Sequence, residues 1–261
     1  MKNSLVIIPT YNERENIELI IPAVLDQHPQ IHVLIVDDNS PDGTGDVVER
    51  LRSTTEGNRG EVDELRFRES DTYPNHNKKR IHLLRRASKN GLGTAYIAGF
   101  KWALSQGYTY IFQMDADFSH NPADLPLLYE ACVDKGADMA IGSRYVSGIN
   151  VVNWPLGRVI LSVGASKYVR MITGMKIYDP TAGFNCYHRK VLESIPLDDI
   201  RFVGYAFQIE MKYNAYAQGF KILEIPIVFT DRVRGKSKLS GGIISEAVFG
   251  VIKMKIKRIF K

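Results

Sequence analysis

The run Ser4-Leu5-Val6-Ile7-Ile8-Pro9-Thr10-Tyr11-Asn12-Glu13 decides how the rest of this chain is read. Its apolar block, Leu5–Ile8, is too short for a secretion signal and predicts a buried strand. Helical spacing follows across Asn16–Leu25, with Ile17, Ile20, Ile21 and Val24 on one face. The alternation then repeats. Val33–Val36 predicts a strand and Asp42–Leu51 a helix. Ile81–Leu84 precedes a helix at Thr94–Leu104, and Tyr110–Met114 precedes one at Ala123–Val133. Met139–Ile141 adds a further strand. Such alternation predicts βαβ units and a mostly parallel sheet with helices on both faces. Ligands bind such sheets at the carboxyl ends of the strands. The loops after Ile8, Val36, Met114 and Ile141 are therefore where function is expected.

Composition agrees with this class. The 261 residues are 44% hydrophobic, 24% charged and 10% aromatic, which excludes wholesale disorder, collagen-like repeats and a coiled coil. Cys132 and Cys186 stand alone, with no CxxC, so a disulfide framework and a cysteine zinc site are not expected, and a reducing compartment is. No apolar run approaches the ~20 residues that span a bilayer, so no membrane crossing is expected. Net charge is +5. Its distribution matters more, because Lys253, Lys255, Lys257, Arg258 and Lys261 crowd the C-terminus without an acid. That end suits an anionic surface such as membrane headgroups better than nucleic acid, since the bases lack interleaved aromatics.

Between Glu56 and Arg80 the periodicity lapses into mixed charge with Gly57, Gly60 and Pro74, which reads as a solvated insertion. Beyond it, Leu156–Thr173 is helical, with Arg158, Ser162, Ser166 and Arg170 forming a narrow polar stripe among apolar residues. Ile222–Phe229 predicts a strand interrupted by Pro226. Ile243–Phe260 predicts a basic amphipathic helix with Val248, Phe249, Ile252, Ile256, Ile259 and Phe260 on one face. The expected organisation is an α/β domain over 1–242 followed by a helical element over 243–261. Both Leu156–Thr173 and the last helix suit a membrane interface, with an ordinary packed surface helix as the alternative.

The strongest chemical signal is Gln113-Met114-Asp115-Ala116-Asp117-Phe118-Ser119-His120. Two carboxylates one residue apart, just past an apolar strand, present hard oxygen ligands together. Mg²⁺ or Mn²⁺ held this way takes further oxygens from a substrate phosphate. A solvated turn leading into a helix start at Pro122 is the alternative. Val36-Asp37-Asp38-Asn39-Ser40-Pro41-Asp42-Gly43-Thr44 also follows a strand, and its carboxylates suit ribose hydroxyls or a base N–H. Pro9-Thr10-Tyr11-Asn12-Glu13 offers an aromatic face and a carboxylate, or simply a helix cap at Asn12. Each loop alone reads as structural; three acidic loops on one sheet edge read as a site. His120 reads as a turn or core histidine rather than a ligand, and Glu210 as a structural acid rather than a base.

These loops, with Asn90-Gly91-Leu92-Gly93-Thr94-Ala95, resemble the GT-A-fold inverting glycosyltransferases of the large family that uses nucleotide sugars. Later runs are narrower. Gly142-Ser143-Arg144-Tyr145, Asp179-Pro180-Thr181-Ala182-Gly183-Phe184, Tyr205-Ala206-Phe207-Gln208-Ile209-Glu210-Met211 and Asp231-Arg232-Val233-Arg234-Gly235-Lys236-Ser237-Lys238-Leu239 are similar to dolichol-phosphate (polyprenyl-phosphate) mannose synthases. The resemblance implies a GT-A, Rossmann-like α/β fold with amphipathic C-terminal helices. It also implies metal-assisted transfer of mannose from GDP-mannose to a polyprenyl or dolichyl phosphate, with inversion. By the same resemblance Pro9, Tyr11, Glu13, Val36 and Asp38 hold the nucleoside. Asp115, Ala116 and Asp117 meet the diphosphate, and Asp115, Asp117 and Ser119 the Mg²⁺ or Mn²⁺. Arg144, Arg158, Ser162, Arg232 and Lys238 gather the donor and acceptor phosphates. Of these, Asp117, Arg144, Arg232 and Lys238 are the expected catalytic set. Some members carry Gln where this chain has Ser119, a weaker ligand. The implied setting is the cytoplasmic face of a membrane, held peripherally or through a small membrane-anchoring subunit, with no nucleic-acid partner.

The residue types suit that chemistry. A phosphate monoester has a second pKa of about 6, so it is already a nucleophile at neutral pH. No strong general base is needed. The barrier lies in bringing two anions together, which calls for cations and a metal. Two rivals stay open: the same fold with a UDP-sugar donor, and an inactive membrane-recruited binding subunit. The Gly-, Ser- and Lys-rich run Asp231–Gly242 reads as a loop that closes over bound nucleotide and excludes water. Lys238→Ala is therefore expected to lower turnover far more than the melting temperature; equal losses in both would count against it.

Overall fold

The computed structural model describes residues 1–57, 80–204, 206–231 and 250–256. The expected closing loop from Arg232 onward, Lys238 included, lies outside the described residues, as do most of the insertion and all of the last helix except 250–256.

The chain begins with strand β1 (Ser4–Thr10) and helix α1 (Arg14–Leu25), followed by β2 (Ile31–Asp37) and α2 (Thr44–Gly57). Next come β3 (Ile81–Arg85), α3 (Leu92–Ser105), β4 (Tyr110–Gln113), α4 (Leu125–Val133) and β5 (Met139–Ser143). With β7 (Asn185–His188) and β8 (Ile222–Pro226) they form a seven-stranded sheet in the order β3-β2-β1-β4-β7-β5-β8. Every pairing is parallel except the two made by β7. The strand–helix reading of the first half thus holds, including the mostly parallel sheet.

Alternation along β1 shows why the sheet needs helices on both sides. Leu5 and Ile7 sit in one hydrophobic cluster with Tyr96, Phe100 and Phe207, while Val6 and Ile8 sit in the other with Ile17, Ile20 and Leu125. All four β1 residues are fully buried, as a strand covered on both faces requires. Helix α3 comes close through Gly99, where a Cβ would lie 2.7 Å from the Ile7 side chain.

Expectation is revised in three places, two in the second half and one at the start of α2. The single strand expected over Ile222–Phe229 is two. Pro226 ends β8, and the chain leaves the sheet so that β9 (Phe229–Thr230) pairs instead with β6 (Val151–Val152) in a small separate ribbon. Proline lacks the N–H to continue a ladder, so the strand ends at that residue. Strand β7, helix α6 (Arg189–Ser194) and helix α7 (Ala206–Ala217) carried no periodic signal, because β7 is short and polar in part and α7 is buried nearly all round. Helix α2 starts at Thr44, two residues later than expected, because the Asp42 carboxylate accepts the Thr44 N–H and hydroxyl at 2.9 and 2.6 Å. Residues 250–256 are helical and join the same core: Val251 is buried, and Lys255 Nζ donates to Thr173 O at 3.2 Å.

Helix α5 (Leu156–Thr173) has the expected bounds. Its polar stripe faces the protein. Ser166 is buried, the Ser162 hydroxyl accepts from Tyr145 at 2.6 Å, and the Arg170 guanidinium covers the Tyr178 ring at 4.4 Å. Several large apolar residues face out, with Leu156 74%, Ile160 64%, Leu161 55% and Met171 75% exposed, while Val169 is buried and Tyr168 and Ile172 pack against the core.

Candidate active site

The carboxyl ends of β1, β2 and β4 lie side by side, so the three acidic loops share one edge of the sheet. Each loop turns at a residue with positive φ: Asn12 at 58°, Asn39 at 56° and Phe118 at 60°. Asparagine accepts this conformation readily. A bulky phenylalanine does not, and strain of order 1 kcal/mol there marks a constrained turn. At Phe118 the constraint brings the Ser119 N–H onto Asp117 Oδ1 at 3.1 Å and fixes that carboxylate.

In the β4 loop Asp115 is 39% exposed while Asp117 and Ser119 are buried. The Asp115 N–H donates to His120 Nδ1 at 3.3 Å. His120 is fully buried, stacks on Phe184 at 5.0 Å and meets Phe229 edge-on. Burial holds its pKa down, at about 4, with Asp117 opposing, so it is a neutral acceptor at pH 7. The core-histidine reading of His120 therefore holds. Among the described residues no three His, Cys, Asp or Glu side chains converge as a metal cage. Two hard carboxylates, one buried and oriented and one open, fit instead an ion that takes its remaining oxygens from phosphate and water.

The β2 loop separates two roles. Asp37 is structural, accepting the Thr10 hydroxyl at 2.8 Å and the Ser40 N–H and hydroxyl at 3.0 and 2.6 Å. Asp38 is buried against Arg86, whose Nη1 lies 2.9 Å from Oδ1. That contact is ionic rather than an aligned hydrogen bond, since neither atom has an in-line partner. Burial raises the Asp38 pKa while Arg86 restrains the rise. The Tyr11 ring is covered by Lys89 Nζ at 4.3 Å. Glu13 occupies the N-cap position of α1, a place assigned to Asn12 by the sequence; its carboxylate accepts Asn16 Nδ2 at 2.9 Å and its N–H donates to the Thr44 hydroxyl. Pro9 sits within β1, partly exposed. Val36 is a correction: its side chain is fully buried in the core and packs toward Gly99, so only its main chain faces the loop edge. Ala116 is likewise buried.

A second wall comes from the end of β5 and from α5. Arg144 grips Asp179 in a bidentate pair, Nε to Oδ2 and Nη2 to Oδ1, both at 2.7 Å, and also reaches the Thr181 hydroxyl at 2.8 Å. Burial of Asp179 favours the neutral acid, yet the guanidinium beside it wins and holds its pKa below the usual value. Arg158 pairs with Asp231 at 2.9 Å and lies 4.0 Å over the Trp154 ring. Ser162, one turn on, hydrogen-bonds Tyr145. This wall joins the acidic one. Thr230 N donates to Ser119 O at 3.4 Å, and the Asp231 N–H donates to Val152 O at 3.1 Å. Asp231, next in sequence to Arg232, therefore runs beside the β4 loop.

Sequence reasoning missed Arg86, Lys89, Trp154, Thr181 and the partnership of Arg144 with Asp179. The motif around Asp179 was visible; its partner, 35 positions away, was not. Glu210 is structural, accepting the N–H groups of Arg201 and Phe202 at 3.0 and 3.2 Å.

An α/β sheet whose strand ends carry paired acids beside a wall built on ion-paired arginines is the frame of a nucleotide-sugar transferase. The chain belongs to glycosyl transferase family 2, whose model matches residues 5–196. Its relatives include the polyprenol monophosphomannose synthase of Mycolicibacterium smegmatis, 47% identical over 98% of this chain and 88% of that protein. The undecaprenyl-phosphate mannosyltransferase of Micrococcus luteus is 43% identical over 95% and 92%. The dolichol-phosphate mannosyltransferase of Pyrococcus furiosus is 36% identical over 92% of this chain, which spans 60% of that longer protein. In three dimensions the chain is similar to glucosyl-3-phosphoglycerate synthase of Mycobacterium tuberculosis, solved with Mn²⁺ and UDP. The TM-score is 0.62 with 17% identity, over 98% of this chain and 80% of that one, a likeness of fold.

Asp117→Asn keeps the turn but halves the charge on the Asp115–Asp117 pair, the expected metal ligands. It is expected to abolish metal-dependent turnover, read as activity against Mn²⁺ concentration. An unchanged titration would refute the ligand assignment.

Proposed function

We propose that this protein transfers mannose from GDP-mannose to a polyprenyl phosphate at a membrane surface, with inversion at the anomeric carbon. The observation that carries this reading is the junction of the two walls, where Thr230 meets Ser119 and Asp231 meets Arg158. The names of the relatives supply the sugar and the lipid class.

In this reading an acceptor phosphate oxygen attacks C1 of mannose as the C1–O bond to the diphosphate breaks, and GDP leaves with the electron pair. Arg144 and Arg158 draw the acceptor phosphate in and offset its repulsion from the donor; Ser162 adds a hydroxyl. Arg232 and Lys238 belong to the same set by resemblance. Asp38 and Tyr11 orient the nucleoside, with Arg86 and Lys89 fixing their positions. Asp115 and Asp117, with Ser119 as a weaker third oxygen, would hold Mg²⁺ or Mn²⁺. When bound, that ion supplies positive charge to the departing diphosphate. Proton transfer is not required, because the acceptor is already largely a dianion.

Membrane contact is assigned to the outward face of α5. No described helix is long and apolar enough to cross a membrane. Leu156, Ile160, Leu161 and Met171 are exposed along one helix, and Ile252 and Ile256 are exposed on the neighbouring segment beside Lys253. An apolar stripe flanked by lysines suits immersion in the headgroup boundary. Because the stripe's reverse side carries Arg158 and Ser162, a helix lying in the interface would present both to a lipid phosphate.

The deciding experiment offers GDP-mannose and UDP-glucose to the chain with one short polyprenyl phosphate, with and without Mn²⁺. Turnover of GDP-mannose alone, dependent on the ion, is expected. Preference for UDP-glucose would transfer the reading to a UDP-sugar enzyme, and nucleotide binding without turnover would favour a binding subunit. In a separate measurement, Ile160→Gln combined with Met171→Gln is expected to release the chain from sedimenting vesicles containing anionic lipid while leaving its melting temperature near the parent value. Unchanged sedimentation would remove α5 from the membrane contact.

A further inference from the structure

Beneath the two walls lies a buried lysine that the proposed reaction does not use. Lys212 sits in α7 with no exposed surface, and its Nζ donates to the Ala182 carbonyl at 2.6 Å. The charged groups facing it are Asp179 and Arg144 from the cationic wall and Glu224 from β8. Burial lowers its pKa to about 7, with Asp179 resisting the fall. Burying an amine this way is costly, and an apolar side chain of similar length would fill the space without that cost. The position therefore calls for an explanation beyond packing.

The explanation lies in what Lys212 holds. The segment Asp179–Gly183 connects the two walls. At one end the Glu224 carboxylate accepts the N–H groups of Tyr178 and Asp179 at 2.7 and 2.8 Å. There Asp179 carries Arg144. At the other end Gly183 lies against the acidic wall: a Cβ placed on it would be 3.7 Å from Asp115 Oδ2 and 3.5 Å from the His120 ring. Between these ends the Ala182 carbonyl has two donors, Lys212 at 2.6 Å and the Asn185 amide at a longer 3.3 Å. An acid thus grips the segment by its amides and a base grips it by its carbonyl.

We infer that Lys212 is a positioning residue of the site, fixing the Asp179–Gly183 segment so that Arg144 and Asp115 keep the separation that the donor diphosphate and the acceptor phosphate together require. It touches no substrate and acts through the Ala182 carbonyl. The inference rests on the reading that the two walls serve one site, with the nucleotide diphosphate at the acids and the acceptor phosphate beside it. It also explains why a costly buried amine is kept at a position that packing alone would fill with a hydrocarbon.

The test uses the full chain and two variants. Lys212→Met removes the donor at similar volume; Lys212→Gln restores a neutral donor. Calorimetric titration with Mn²⁺-GDP and with Mn²⁺-UDP measures affinity, and melting temperature is recorded for all three proteins. Displacements of this kind cost about tenfold or more, so Lys212→Met is expected to bind the preferred nucleotide about tenfold more weakly. Lys212→Gln is expected to recover most of that loss, with both melting temperatures close to the parent. Parent-like affinity in Lys212→Met would overturn the inference. So would equal weakening of both variants in step with lost thermal stability, the mark of a merely structural role. The two readings fail separately: a parent chain preferring UDP sinks the GDP-mannose reading, while the pattern among variants still decides the role of Lys212. A parent chain that binds neither nucleotide sinks both.

Discussion

The buried pair between Arg144 and Asp179 is the constraint on which the site's geometry depends. Its carboxylate accepts the Arg144 backbone N–H, two guanidinium N–H groups and the Thr181 hydroxyl, so its lone pairs are well used. A pair so satisfied contributes little net stability against an apolar substitute, but breaking it by removing one partner costs about 3–5 kcal/mol, because a buried charge is then left alone. The pair thus works as a latch rather than as a source of stability. It ties the end of β5 to the segment entering β7, the one strand that runs against the sheet. Without the latch, the aromatic group around Arg144, formed by Tyr145, Trp154 and Phe229, would lose the cation at its centre.

How much of this could be read from the sequence follows from the range over which each signal acts. Parallel strands buried on both faces write themselves as continuous apolar runs, so Leu5–Ile8, Val33–Val36 and Tyr110–Met114 were legible, and with them the three acidic loops at their ends. The inward polar stripe of α5 was legible as a pattern but not in its direction, because amphipathicity fixes that a helix has two faces and not which one meets the protein. Strand β7 was not legible: Asn185 and His188 give it no alternation, and its antiparallel place between β4 and β5 depends on neighbours far along the chain. The same limit hid Arg86 behind Asp38 and Asp179 behind Arg144. Loops declare their chemistry locally; partners across a site are declared only by the fold.

In the proposed reading, the orientation of α5 would link that fold to the lipid. Most surface helices turn apolar residues inward, because water removes them from contact by default. Here the inward side is occupied by Arg158, Ser162 and Ser166, with Arg158 held by Asp231 and Ser162 by Tyr145. The arrangement exposes a row of large apolar side chains, a feature that marks an interaction surface. It also places polar groups of the site on the same helix as that surface, one turn apart. A phosphate whose tail stays in the bilayer need not be lifted far to reach them.

Charge supplies the reason for having two walls rather than one. A site made only of acids and metal would bind the nucleotide and repel the second phosphate. One made only of arginines would bind both anions tightly and gain nothing specific as charge moves from acceptor to leaving group. In the proposed reaction opposed walls would separate these tasks: the acids would hold a cation at the departing diphosphate, where negative charge grows, while Arg144 and Arg158 would face the nucleophile, where it shrinks. Only interactions that strengthen along the reaction accelerate it, so the acid-held cation contributes to the rate and the arginines to assembly. The joint between the walls must then be stiff, since a separation that drifts by an ångström loses alignment between attacking oxygen and breaking bond. A buried salt bridge, a strained turn at Phe118 and a lysine on a backbone carbonyl are the means this sequence uses to make it so.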